Sequence, residues 1–145
     1  MVPPDSAERR GGHRTVPHTA DLRVEAWGPT REECLAHAVR GVCESFLDVS
    51  GAAPVRKRDV TVRPETDEDL LRALLEELVY RLDTDGEVPV DVTLTEVPGG
   101  LRAALHMAEV APLPVTGAAP KAVTLHELVF RRGPHGWACS VTLDV

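Results

Sequence analysis

Aromatic residues are scarce in this chain: two Trp, two Phe and one Tyr make up only 3% of its 145 residues. That leaves too little for a surface that holds single-stranded nucleic acid by stacking bases on rings. Basic residues are also in deficit, 16 Lys and Arg against 23 Asp and Glu, for a formal net charge of -7. A broad phosphate-neutralising face needs clustered cations, so any work on RNA is expected to go through a partner. No apolar run approaches the roughly 20 residues that span a bilayer, and the N-terminus lacks the apolar centre of a signal peptide. A cytoplasmic protein without membrane attachment is expected. Cysteine is limited to Cys34, Cys43 and Cys139, with no Cys-x-x-Cys pair. Neither a disulfide framework nor a thiolate zinc site is suggested, and buried, inert thiols are expected. Also missing are a Gly-rich phosphate loop, a Gly-x-Ser-x-Gly elbow and His-rich metal spacing.

What is present suits one domain, with 43% hydrophobic residues. Residues 1–13 carry Pro3, Pro4, Gly11 and Gly12 without apolar periodicity. They are expected to be a mobile tail, leaving residues 14–145 as a single domain. From Asp21, Leu22, Val24 and Ala26 alternate with Arg23, Glu25 and Trp27 until Gly28-Pro29, the period-two pattern of a strand with one buried face.

Thr30 with Glu33 forms a capping-box pattern that predicts a helix start. Leu35, Ala38, Val39, Val42, Cys43 and Phe46 then form one apolar stripe that ends near Asp48 to Gly51. Val55 to Val62 reads as a short basic strand closed by Pro64. Thr66 caps a second helix, with Asp67, Glu68 and Asp69 placed to suit its dipole. Its stripe runs from Leu70 to Leu82, and Gly86 is available as a left-handed cap. Beyond it lie two hairpins, one turning at Pro98-Gly99-Gly100 and one at Gly133 to Gly136, separated by a proline-rich loop from Ala111 to Pro120. The order predicts an α+β fold, two helices packed on one face of a mixed or antiparallel sheet.

Asp21 and Asp144 sit at the ends of the first and last of these strands. If those strands are neighbours, the two carboxylates and the terminal carboxylate of Val145 converge into a set of hard oxygen ligands for a divalent cation. Such a cluster calls for a counter-charge. The bland alternative, a turn residue and a solvated chain end, is open to both aspartates on sequence alone. In the run Lys121 to Leu128, alternation places Lys121, Val123, Leu125 and Glu127 on one face and Ala122, Thr124, His126 and Leu128 on the other. Lys121 can offset an acidic site and His126 can hydrogen-bond a carboxylate, or both can be ordinary surface groups.

Four separated segments in register resemble the archease family over roughly residues 17–145. They are His18-Thr19-Ala20-Asp21, Leu70-Leu71 with Leu78 to Gly86, Lys121 to Leu128, and Leu143-Asp144-Val145. The resemblance implies an archease-like fold and a non-catalytic accessory protein. Its partner would be an RtcB-type RNA ligase, whose guanylylation and multiple turnover it promotes and whose nucleotide use it broadens, in tRNA splicing or RNA repair. It also implies a Ca²⁺- or Mg²⁺-type ion held by Asp21, Asp144 and Val145, with Lys121, His126 and His18 contributing to activation. Leu125 stands where many members carry Tyr, which removes a hydroxyl but none of the acidic residues. Two alternatives belong to other classes: a stand-alone metal-dependent hydrolase with His126 as general base, and a general chaperone or interaction module. The oligomeric state is open.

Overall fold

The computed structural model describes residues 10–17 and 21–145. Within them the chain runs β1 (Gly12–Pro17), β2 (Asp21–Gly28), α1 (Arg31–Glu44), β3 (Arg56–Val62), α2 (Asp67–Asp85), β4 (Glu87–Val97), β5 (Gly100–Glu109), β6 (Ala122–Gly133) and β7 (Gly136–Asp144). Both helices begin where their local chemistry directs. Thr30 Oγ1 accepts from the Glu33 amide at 3.1 Å, and Thr66 Oγ1 accepts from the Asp69 amide at 3.1 Å. Each cap satisfies one otherwise orphaned backbone donor and is worth about 1 kcal/mol. At the far end of α2, Gly86 adopts φ 65°, the left-handed geometry that a residue without Cβ takes most readily. Helix α1 stops at Glu44, so Phe46 lies beyond the helix its stripe suggested, yet it is still buried.

The α+β architecture holds, but the single expected sheet is two antiparallel sheets. One has the order β1-β2-β7-β6 and the other β3-β5-β4. The basic strand β3 pairs with β5 along Arg56 to Val62 and makes no ladder with β2. Helix α1 packs on β1, β2 and β7 of the first sheet and on β4 of the second, while α2 packs on β6 and β4. The helices therefore join the two sheets through one core. Leu35, Val39 and Val42 of α1, Leu71, Leu74 and Leu78 of α2, Val141 and Leu143 of β7 and Leu101 and Leu105 of β5 are all buried in it. Cys34, Cys43 and Cys139 are buried free thiols, as expected, and burial pushes the Cys43 thiol up to about 12.

Strand β1 was not anticipated. It starts at Gly12, inside the segment expected to be a tail, and pairs with β2 from Gly12↔Trp27 to Pro17↔Leu22. Residues 1–9, the rest of that segment, lie outside the described residues. A second departure is in β6. Thr124 pairs with Thr142 and Val129 with Ser140, so four residues, Leu125 to Leu128, stand opposite the single residue Val141. The alternation expected for Lys121 to Leu128 therefore ends at Thr124. Beyond it Leu125, His126 and Glu127 are all exposed, and Glu127 has φ 59°, uncommon for a residue with a Cβ. Among the described residues no helix is long and apolar enough to cross a membrane.

Candidate functional site

The first and last of the strands expected from the sequence are neighbours. β2 and β7 run antiparallel in unbroken register from Asp21↔Asp144 to Gly28↔Trp137. Directly opposed residues share a face, with Cβ atoms about 4.5–5.5 Å apart. One step along, Leu22 and Leu143 pair on the core side, where Leu143 is fully buried. Asp21 and Asp144 consequently project together from the opposite face, Asp144 exposed and Asp21 partly so.

Strand β6 completes the surroundings. Ala122 pairs with Asp144 on its other side, and the Lys121 amide donates to the Asp144 carbonyl at 2.7 Å. That bond ties the start of β6, and Lys121 with it, to the acidic pair. Lys121 and Val145 then line one open groove of about 640 Å³ together with Tyr80, Leu82 and Asp83 of α2 and Pro120 of the preceding loop. The proline-rich loop thus ends at this groove.

One row inward on the same face lie Arg23, Thr142 and Thr124. Arg23 Nε and Thr124 Oγ1 are buried without a hydrogen-bond partner among the described residues. Arg23 places a cation beside the acidic pair, a role that the sequence reading assigned to Lys121 alone. Its alternation with Leu22 and Val24 was the signal available for it, since residues i and i+2 of a strand share a face. A further row in, Glu25 is 1% exposed and takes a hydrogen bond from Arg14 Nε at 2.7 Å. Burial alone would raise its pKa, but cationic donors, Arg14 among them, outweigh that and hold the carboxyl below its ordinary range. Glu25 is committed to this pairing and does not extend the acidic pair.

The other sequence candidates fall apart from that pair. His126 is in the β6 bulge, 84% exposed, with Nε2 3.4 Å from Glu127 Oε1. Leu125, the position where a Tyr is common in the resembled family, is 69% exposed, so a hydroxyl there would be offered to the outside rather than to the core. His18 lies outside the described residues.

Among the described residues no three His, Cys, Asp or Glu side chains converge as a metal site. The donor chemistry nonetheless fits a hard cation of the open kind. Two opposed carboxylates repel each other unless a cation lies between them, and Mg²⁺ in particular is commonly held by one or two carboxylates with water in the remaining positions.

The chain matches the model of the Archease protein family over residues 13–145. It is 53% identical over 134 residues to a Mycobacterium tuberculosis protein named "Probable protein archease", covering 92% of this chain and 75% of that one. The solution structure of a Methanobacterium thermoautotrophicum protein superposes with a TM-score of 0.74 at 26% identity, over 92% of this chain and 99% of that one. The crystal structure of a Thermotoga maritima protein, described as "an archease, possible chaperone", shares the fold with a TM-score of 0.63 at 22% identity, over 90% of this chain and 94% of that one.

Proposed function

The chain belongs to the archease family, and on that premise we propose that it is an accessory protein which activates an RtcB-type RNA ligase. It promotes guanylylation of the ligase and its multiple turnover, in tRNA splicing or RNA repair, and touches RNA only through that partner. The observation that carries this reading is the opposed pair Asp21 and Asp144 at the β2–β7 seam.

Asp21, Asp144 and Val145 would hold a Ca²⁺- or Mg²⁺-type ion through oxygen. Such an ion supplies positive charge that a phosphate of the partner's nucleotide can meet. The chain's own residues prepare that encounter. Two carboxylates on adjacent strands of a ladder are held at a fixed spacing, so little side-chain freedom remains to be lost when they act. Arg23, one row inward on the same face, places a cation next to them. The net charge of -7 keeps free RNA away from this surface and leaves the phosphate chemistry to the ligase.

The test is covalent attachment of guanylate to the ligase from the same organism, followed with and without this protein. Wild type is expected to raise both the rate of attachment and the number of turnovers, and Asp21→Asn and Asp144→Asn to lose most of that gain. Undiminished activation by both variants would refute the reading.

A further inference from the structure

Far from the acidic pair, His13 of β1 touches two residues of α1 at once. Its Nε2 lies 2.5 Å from Glu44 Oε1, and its Nδ1 lies 3.2 Å from Nδ1 of His37. The two rings are tilted by 38° with centroids 5.3 Å apart. Both imidazoles are seated where glycines leave room. A Cβ on Gly11 would come within 2.6 Å of His37 Nε2, and one on Gly41 within 3.2 Å of His13 Cδ2 and 2.9 Å of Val24 Cγ1. Among the described residues β1 is the edge strand of its sheet, and these contacts tie it to α1, which covers the sheet's face.

We infer that His13, His37 and Glu44 form a proton-counting clasp, which holds β1 on α1 while the two imidazoles share at most one extra proton and lets go when both are charged. The ring chemistry dictates the count. An ionised Glu44 only accepts, so His13 Nε2 must donate to it. With both rings neutral, His13 Nδ1 is then a lone pair, and His37 Nδ1–H donates to it. With one added proton on the pair, one Nδ1–H and one Nδ1 lone pair can still face each other, so the bond survives. A second proton puts N–H groups on both Nδ1 atoms, facing each other between two like charges, and no hydrogen bond is left to make.

The charges around His37 act on that second proton. Burial comes first in holding its pKa below the ordinary value of 6.5, followed by His13 and Arg40. Glu33 and Glu44 of the same helix oppose them, and β4 contributes Asp91, which is bound to Arg40 at 2.7 Å and is faced by His106 of β5. The residues of β2 and β7 that face α1, Val24, Ala26 and Val141, are apolar. The sign follows. The unfolded chain takes up the proton near pH 6.5 and the clasped form does not, so the clasp weakens as pH falls from 6.5 to the lower value of His37 in the folded protein. The consequence reaches β2, because β1 is the strand that leads into Asp21.

The experiment is an NMR titration of the full chain from about pH 8 to about pH 5, following the ring nitrogens of both histidines and amide exchange along β1. Exchange rates are corrected for their intrinsic dependence on pH. At high pH the protons should reside on His13 Nε2 and His37 Nδ1. As His37 becomes charged, the opening equilibrium of Thr15 and its β1 neighbours should rise by about tenfold for each pH unit between 6.5 and the pKa of His37 in the folded protein. In His37→Asn, whose amide keeps a donor near the place of Nδ1 but takes no charge, β1 should stay equally protected throughout. Unchanged β1 protection in wild type after both rings are charged would overturn the clasp, and so would a loss of protection that persists in His37→Asn. The wild-type titration decides the matter by itself if the variant does not fold.

Discussion

Asp21 and Asp144 face each other directly across the β2–β7 ladder, on the side of the sheet away from Leu22 and Leu143. Like charges so placed repel, and Arg23 one row inward offsets only part of that, so the pair should respond in opposite senses to mutation and to metal. With all divalent metal chelated, Asp144→Asn should leave the protein as stable as wild type or up to about 1 kcal/mol more stable. With Ca²⁺ or Mg²⁺ at about 100 times its dissociation constant, wild type should gain about 2.7 kcal/mol and Asp144→Asn and Asp21→Asn little. Thermal denaturation with and without chelator measures both effects, and equal metal responses in all three proteins would remove the ion from this site.

The side chain of Glu87 is 4% exposed and takes Arg56 Nε at 2.5 Å and Arg58 Nε at 3.0 Å. Either arginine alone still neutralises it, so the single changes Arg56→Ala and Arg58→Ala should each cost about 1–2 kcal/mol. Removing both strands a buried carboxylate and should cost more than the sum of the singles, about 3–5 kcal/mol in total. Urea denaturation of the four proteins closes this cycle, and simple additivity would contradict the shared role.

Asp91 accepts from Arg40 Nη2 at 2.7 Å, and that hydrogen bond holds its carboxyl below the usual 3.8. A depressed carboxylate stabilises the fold above the unfolded value and loses that contribution as pH falls through the lower folded value. The gap in denaturation midpoint between wild type and Asp91→Asn should therefore be present at about pH 6 and close as pH falls from 3.8 through the lower folded value. A gap that persists in acid would assign the effect to packing instead.

Glu127 carries its φ of 59° inside the β6 bulge. Glu127→Gly should raise stability by about 1 kcal/mol or less, because relief of the left-handed strain is partly cancelled by a freer unfolded chain. Glu127→Ile should lower it by about the same amount or more. Chemical denaturation distinguishes the two directions, and loss of stability in the glycine variant would show that the side chain holds the bulge in place.

The helices were legible because their signals are local: Thr30, Thr66 and Gly86 act within one turn of the residues they cap. Strand β1 was not, since Gly12-His13-Arg14-Thr15-Val16-Pro17 has no apolar alternation and becomes a strand only through its pairing with β2. The split into two sheets was hidden for the same reason, as partner choice between hairpins is not written in the period of either. The β6 bulge replaced a regular pattern because Val129, not Leu125, follows Thr124 in the ladder. Asp21 and Asp144 could be named in advance, but their opposition depended on strand order, and the His13–His37–Glu44 contacts join positions with no motif to connect them.

The strand order β1-β2-β7-β6 also sets when the acidic pair comes into existence. Its two members are separated by 123 positions in the chain, and β7 follows every other described element in chain order. Helices α1 and α2 and the β4–β5 hairpin can form from near neighbours, whereas the β2–β7 ladder must close the longest loop in the domain. During synthesis, two separate carboxylates become a paired surface only at the closing step, after both helices and the other described strands are available to pack. A partner that recognises the pair therefore recognises a chain in which the β2–β7 ladder has closed.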